Sequence, residues 1–123
     1  MEVQRRENSG SLVLEVSGEI DLYNAHILKD QLNELAAEGK GAPVIIDLGG
    51  VDYIDSSGIG ALISGKAALE KAGQRMGLCD LTGSVRSVMQ MTKLLSFFQI
   101  FDSEEDALRA LLAAPASTTG GQS

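Results

Sequence analysis

The chain has 123 residues, of which 44% are hydrophobic and 22% charged, the composition of one globular domain. Seventeen acidic residues against ten basic ones give a formal charge of −7, which argues against nucleic acid or an anionic membrane as partner. One cysteine, Cys79, and one histidine, His26, exclude an intrachain disulfide and the metal motifs that need several cysteines or paired histidines.

The N-terminal third of the chain predicts an antiparallel hairpin followed by a helix. Residues 3–7 are expected to be extended, and Leu12, Leu14 and Val16 fall on one face with the two-residue period of a strand. A short turn that contains glycine joins them, which is typical of a hairpin at a sheet edge. Residues 18–23 are expected to form a loop and Asn24 to cap the next helix, which runs to about Glu38.

The middle of the chain predicts a buried strand that leads into a second helix. Residues 44–48 form an apolar, β-branched run, as expected for a strand covered on both faces, and Gly49 and Gly50 are expected to break it. Asp55 is a good N-cap residue, and the apolar residues after it recur at helical spacing as far as Gly73.

The last third predicts two more strands and two more helices. Residues 76–81 mark a strand, residues 85–95 a third helix and residues 97–101 a short strand. The acidic first turn at residues 103–106 opens a last helix, because negative charge there suits the helix dipole. The order β-β-α-β-α-β-α-β-α predicts an α/β fold, with a mixed, mostly parallel sheet of about five strands and four helices.

The N-terminal residues are not expected to form a signal peptide, and no membrane span is expected. No apolar run follows residues 1–6, and no stretch approaches the roughly 18 apolar residues of a membrane span. We therefore expect residues 1–114 to form one soluble, cytoplasmic domain without direct membrane insertion. Residues 115–123 contain only small and polar residues and proline, and are expected to be a disordered tail.

The most specific feature is the segment DSSGIG at residues 55–60. The Asp55 side chain can accept hydrogen bonds from free backbone N–H groups, and both serines fall in the first helical turn, where negative charge is favoured. A phosphate on Ser56 or Ser57 would therefore meet favourable electrostatics. The two glycines each weaken a helix by ~1 kcal/mol against alanine, which makes sense if another surface approaches the backbone closely. A simple helix cap followed by glycines also explains the segment.

A nucleotide-binding enzyme is a weaker hypothesis. Residues 60–66 match GxxxxGK, the first part of a phosphate-binding loop, but Ala67 stands where Ser or Thr should hold Mg²⁺. The stretch also has helical periodicity, so Gly65 and Lys66 are expected on a helix surface. Micromolar nucleotide binding that is lost in Lys66→Ala would support this hypothesis.

The remaining reactive side chains have structural interpretations. His26 is expected on the polar face of a helix start, without a nucleophile to activate. Glu19 and Asp21 could form an acid–base pair, but neither a nucleophile nor a metal ligand accompanies them in the sequence. Cys79 is expected to be a buried structural thiol. We therefore assign no catalytic residue, metal or cofactor and expect a binding protein.

Two motifs together resemble the STAS domain family, and more closely the bacterial anti-sigma factor antagonists within it. The first motif is GEIDLYNA at residues 18–25, and the second is DSSGIG at residues 55–60. Residues 84–101 also resemble the C-terminal part of that family, so the resemblance runs from about Val3 to Leu112. It implies the STAS fold and a regulatory binding protein.

The resemblance also implies a mechanism called partner switching. Such antagonists bind a protein that is both an anti-sigma factor and a serine kinase, and binding frees the sigma factor. The kinase phosphorylates the serine after the Asp of the D-S-[ST]-G motif, here Ser56, which breaks the complex, and a metal-dependent serine phosphatase restores it. The implied contact face comprises Glu19, Asp21, Leu22, Tyr23, Asn24, Asp55, Ser56, Ser57, Gly58 and Gly60.

The chain departs from the family pattern at two positions, and one alternative keeps the fold. His26 stands where relatives often have proline, and Lys93 stands where glycine is common after the third helix. Some small STAS proteins resemble this chain but are subunits of membrane lipid-transport complexes. That alternative predicts copurification with an ATPase subunit and no phosphorylation.

Overall fold

The computed structural model describes residues 1–113, which form five strands and four helices in the predicted order. Helices and strands alternate after the first hairpin, as the periodicity of the apolar residues indicates. The elements are β1 (Glu2–Asn8), β2 (Ser11–Ile20), α1 (Ala25–Glu38), β3 (Val44–Ile54), α2 (Ser56–Lys71), β4 (Met76–Cys79), α3 (Gly83–Met91), β5 (Gln99–Phe101) and α4 (Glu104–Ala113).

The strands form one mixed sheet in the order β1-β2-β3-β4-β5. β1 and β2 pair antiparallel, and the other neighbouring strands pair parallel, which confirms the predicted hairpin and the mostly parallel sheet. Because β2 and β3 run in the same direction, their carboxyl ends lie side by side, with Ile20 opposite Ile54. The segments that follow these two residues therefore begin next to each other.

Helices pack on both faces of the sheet. Side chains of α1, α2 and α3 share the larger core with inward-facing strand residues such as Leu14 and Ile46, both fully buried. Each such side chain contributes about 1.5–3 kcal/mol when it is buried. The smaller core joins α4 to the opposite face and consists of Val13, Ile45, Cys79, Ala107 and Leu111.

Two strands are longer than the sequence predicts. β2 continues past Gly18, where a loop is expected, and β3 continues across Gly49 and Gly50 to Ile54. A Cβ at Gly50 would lie 2.9 Å from the Cβ of Ser17, so a glycine allows the two strands to approach there. The expectation that the glycine pair breaks the strand is therefore wrong.

The third helix is shorter than its apolar spacing predicts, and it ends at Met91. Lys93 adopts a left-handed backbone with φ 61°, and the N–H of Leu94 donates a hydrogen bond to the carbonyl of Met89 at 2.8 Å. This arrangement closes the helix in the manner of a Schellman motif. The left-handed conformation favours glycine, which explains the glycine expected at this position from the resemblance.

Two sequence predictions concern the ends of the chain. The domain boundary predicted after residue 114 and the disordered tail predicted for residues 115–123 lie outside the described residues. Within residues 1–113, every helix is too short or too polar to cross a membrane.

Candidate functional site

Asp55 connects β3 to α2 and shapes the turn that carries Ser56. Its backbone is extended, with φ −109° and ψ −172°, as an N-cap requires. Its Oδ1 atom accepts hydrogen bonds from the backbone N–H of Ser57 at 2.9 Å and of Gly58 at 3.2 Å. Two free N–H groups of the helix start are satisfied in this way, and the predicted N-cap is confirmed.

The same carboxylate holds the loop between β2 and α1. Oδ2 of Asp55 accepts a hydrogen bond from the backbone N–H of Leu22 at 3.1 Å. The N–H of Asp55 donates to the carbonyl of Ile20, also at 3.1 Å. The structure therefore brings together two sequence motifs that are 33 residues apart at this contact.

Asn24 does not cap α1 with its side chain, contrary to the prediction. Its Oδ1 accepts a hydrogen bond from the N–H of Asp21, and its Nδ2 donates to the carbonyl of Glu19, both at 2.9 Å. Oδ1 of Asp21 in turn accepts from the N–H of Tyr23 at 2.9 Å. The side chain of Asn24 is thus engaged in closing the β2–α1 loop and makes no cap hydrogen bond to α1.

The first turn of α2 and the tip of this loop form an exposed surface. Ser56 is exposed, and its hydroxyl makes no hydrogen bond to any residue that the structure describes, whereas Ser57 is half-buried. Leu22 and Tyr23 are 69% and 84% exposed. Adjacent large apolar side chains in solvent are typical of a protein contact.

The two glycines of the turn have different surroundings. A Cβ at Gly58 would lie 2.6 Å from Cγ1 of Ile54 and 2.8 Å from Cγ2 of Ile20, so the core itself requires a glycine there. Gly60 is exposed, and a Cβ there would meet no atom of residues 1–113 within 4 Å apart from its chain neighbours and the backbone of its own helix. The expected approach of another surface is therefore needed to explain Gly60 but not Gly58.

A groove of about 270 Å³ runs between α1 and α2 beside Ser56. Two α1 side chains of this groove, His26 and Lys29, are not part of the contact face that the sequence predicts. The three-residue spacing of His26 and Lys29 places them on one face of α1, and this spacing is the signal in the sequence for that wall of the groove. The α1–α2 groove is lined by Ala25, His26, Lys29, Ser57, Gly60, Ala61 and Ser64.

The stretch that matches a phosphate-binding loop lies inside α2. Gly65 is buried, and a Cβ there would collide with Cδ1 of Leu32 in α1, so its expected place on a helix surface is wrong. The Nζ atom of Lys66 lies 2.7 Å from a carboxylate oxygen of Glu70 and 4.8 Å from the ring centre of Phe97. A phosphate loop needs free backbone N–H groups, and a helix interior uses them for its own hydrogen bonds.

The other reactive side chains have the environments that follow from their places in the fold. Cys79 is fully buried, as predicted, and burial raises the pKa of its thiol. His26 is exposed in the first turn of α1, also as predicted. Glu19 is exposed at the end of β2, while Asp21 is half-buried and engaged with the backbone of its own loop.

A second group of titratable side chains lies on the sheet face that carries α4. Carboxylate oxygens of Glu15, Asp47 and Glu104 lie within 4.8 Å of one another. Burial raises the pKa of Asp47, and the N–H of Gly49 opposes that shift. Arg6 donates to both glutamates, and its hydrogen bonds hold the pKa of Glu104 below the ordinary value. The group thereby ties β1 and β2 to the start of α4.

Asp55→Ala is expected to lower the free energy of unfolding by about 2 kcal/mol, because it removes an N-cap and the bond to the β2–α1 loop. Urea denaturation measures the loss. Asp52→Ala is the matched control, since Asp52 is exposed on β3, and it should change stability by less than about 0.5 kcal/mol. Equal losses in the two variants would contradict this role for Asp55.

Comparison with known proteins identifies the family. The STAS domain model matches residues 2–107. The anti-sigma-B factor antagonist of Bacillus subtilis is 28% identical over 107 residues, 87% of this chain and 96% of that protein. A crystal structure of an anti-sigma factor antagonist from Mycobacterium paratuberculosis has a TM-score of 0.81 at 26% identity, over 90% of this chain and 93% of that one.

A third neighbour shares the fold at lower identity. The phosphorylated form of the Bacillus cell fate determinant SpoIIAA has a TM-score of 0.67 at 21% identity, over 89% of this chain and 98% of that one. The predicted α/β architecture and the resemblance stated from the two motifs are both confirmed. Because the family model spans nearly all of the described residues, this chain belongs to the STAS domain family.

Proposed function

We propose that this protein is an anti-sigma factor antagonist, which binds an anti-sigma factor with serine kinase activity and is released when that kinase phosphorylates Ser56. The observation that carries the proposal is the exposed hydroxyl of Ser56 in a turn whose Asp55 carboxylate also holds the exposed β2–α1 loop. The modification site and the apolar loop tip are thereby parts of one unit. Two of the compared proteins, which are named anti-sigma factor antagonists, support the proposal.

The proposed contact surface joins the β2–α1 loop to the first turn of α2. Leu22 and Tyr23 supply apolar area, which dominates the energetics of most protein interfaces. Gly58 is buried, so in this proposal it shapes the turn rather than touching the partner. The surface with its supporting residues comprises Glu19, Asp21, Leu22, Tyr23, Asn24, Asp55, Ser56, Ser57, Gly58 and Gly60.

A phosphate on Ser56 would act differently in the free protein and in the complex. At the start of α2 the helix dipole stabilises negative charge, so the free protein tolerates the modification. In a packed interface the same group adds about −1.5 to −2 charges next to Asp55, together with bulk and a desolvation penalty. A loss of about 3 kcal/mol lowers affinity more than a hundredfold, which is sufficient for a switch.

The proposal assigns the chemistry to other proteins. The kinase transfers the phosphate to Ser56, and a metal-dependent serine phosphatase removes it, so this chain acts as a regulatory binding protein rather than an enzyme. It needs no cofactor for that role. Kinase, phosphatase and antagonist would meet in the cytoplasm.

Titration calorimetry with each purified anti-sigma kinase of the source genome tests the proposed function. We expect the unmodified protein to bind one of them with micromolar or tighter affinity, about −8 kcal/mol or better. Binding to none of these kinases would contradict the proposal. If the protein instead copurifies from its host with an ATPase subunit of a membrane lipid-transport complex, that alternative function replaces it.

A further inference from the structure

The α1–α2 groove continues the proposed contact surface toward α1. Ser57, which follows Ser56, belongs to its wall, and Gly60 lies one turn further along α2. A partner seated on Ser56 and the β2–α1 loop therefore covers the mouth of the groove. The charge and depth of the groove determine which side chain of that partner fits into it.

The wall that α1 contributes carries the charge of Lys29 in an otherwise acidic protein. The whole chain has a formal charge of −7, yet the side chains of His26 and Lys29 both line the groove. Lys29 makes no ion pair with any residue from 1 to 113. The helix positions three and four residues away hold no acid, so the charge of Lys29 stays available to a partner.

The wall that α2 contributes is small and can donate hydrogen bonds. Gly60 is exposed inside a helix at a cost of ~1 kcal/mol against alanine. Apart from its chain neighbours and the backbone of α2, no atom of the described part of the chain would touch a Cβ at this position, so internal packing does not require the glycine. Ser57 and Ser64 add hydroxyl groups to the same wall.

We propose, on the basis of the proposed function, that the α1–α2 groove receives an acidic side chain of the partner kinase and that Lys29 and His26 determine this specificity. A carboxylate is complementary to the charge of Lys29 and can accept hydrogen bonds from the two serine hydroxyls. The missing Cβ at Gly60 leaves room for the incoming side chain. An apolar or basic side chain would leave these polar groups unpaired or repelled.

Charge reversal at Lys29 tests the inference with the kinase identified by calorimetry. Lys29→Glu is expected to weaken binding about tenfold or more, because two like charges then face each other in the groove. Lys29→Arg should stay within about threefold of the wild type. The control is Lys71→Glu, an equal charge change at the other end of α2, about 22 Å from Ser56 at 1.5 Å per residue, with an expected effect below about threefold.

The outcomes separate this inference from the proposed function. Loss of binding in Lys29→Glu but not in Lys71→Glu supports the groove, provided that both variants keep the wild-type melting temperature. If Lys29→Glu binds the kinase with wild-type affinity while Ser56→Asp does not bind it, the proposed role of the groove is wrong and the proposed function stands. If the kinase binds Lys29→Glu and Lys71→Glu with equally reduced affinity, binding depends on net charge alone. That result also contradicts the proposed role of the groove. If the wild-type protein binds no kinase, both proposals are wrong.

Discussion

Ser56→Asp is expected to lower the affinity of the protein for its anti-sigma kinase by at least about a hundredfold. The substitution places a carboxylate next to Asp55, at the exposed centre of the proposed contact surface. Negative charge in that position would be desolvated and repelled when the partner docks. Titration calorimetry against the purified kinase measures the change.

Ser56→Ala is the matched control, because it removes the hydroxyl without adding charge. We expect it to bind within about threefold of the wild type, since the hydroxyl of Ser56 makes no hydrogen bond to the described residues. Ser56→Asp should also keep or slightly raise the melting temperature, because an acid in the first turn of a helix is favourable. Equal affinity of the two variants for the kinase would contradict the proposed switch.

Gly65→Ala is expected to destabilise the fold by about 2 kcal/mol. The added Cβ would collide with Cδ1 of Leu32 and lie 2.9 Å from its Cβ, and Leu32 is fully buried. α1 and α2 must then separate, which would displace both walls of the α1–α2 groove. Thermal and urea denaturation measure the loss of stability.

Gly60→Ala, five positions earlier on the same helix, is the matched control with the opposite sign. Apart from its chain neighbours and the backbone of α2, its Cβ would meet no atom of residues 1–113 within 4 Å, so only the helix propensity changes. We expect a gain of about 0.5–1 kcal/mol in the free energy of unfolding. Destabilisation of similar size by both alanines would show that backbone conformation, and not contact with Leu32, determines the effect.

The number, type and order of elements followed from hydrophobic periodicity. The fully buried run at the start of β3 and the spacing of Leu28, Leu32 and Leu35 in α1 are strong signals, because burial acts on a whole strand or helix face. The Asp55 cap was predictable for a different reason. Its oxygen bonds to N–H groups two and three residues away, so the interaction is local in sequence.

The features that sequence reasoning missed depend on neighbours distant in the chain. In the sequence alone, Gly50 predicts the end of a strand. The folded chain shows instead that Gly50 makes room for Ser17 of the adjacent strand. The sequence predicts that Gly65 lies on a helix surface, whereas in the folded chain Leu32 packs on it. Likewise, Asn24 has the right residue type for a cap, but the folded β2–α1 loop offers its side chain other partners. Tertiary packing decides such positions, not local propensity.

Peptide-level mass spectrometry of the protein isolated from its native host would show whether Ser56 is the modified residue. We expect a phosphate on Ser56 in part of the population, with the fraction changing between growth and stress. A phosphate on Ser57 would preserve a switch but contradict the assignment to Ser56. A fully unmodified protein under both conditions would contradict the partner-switching account.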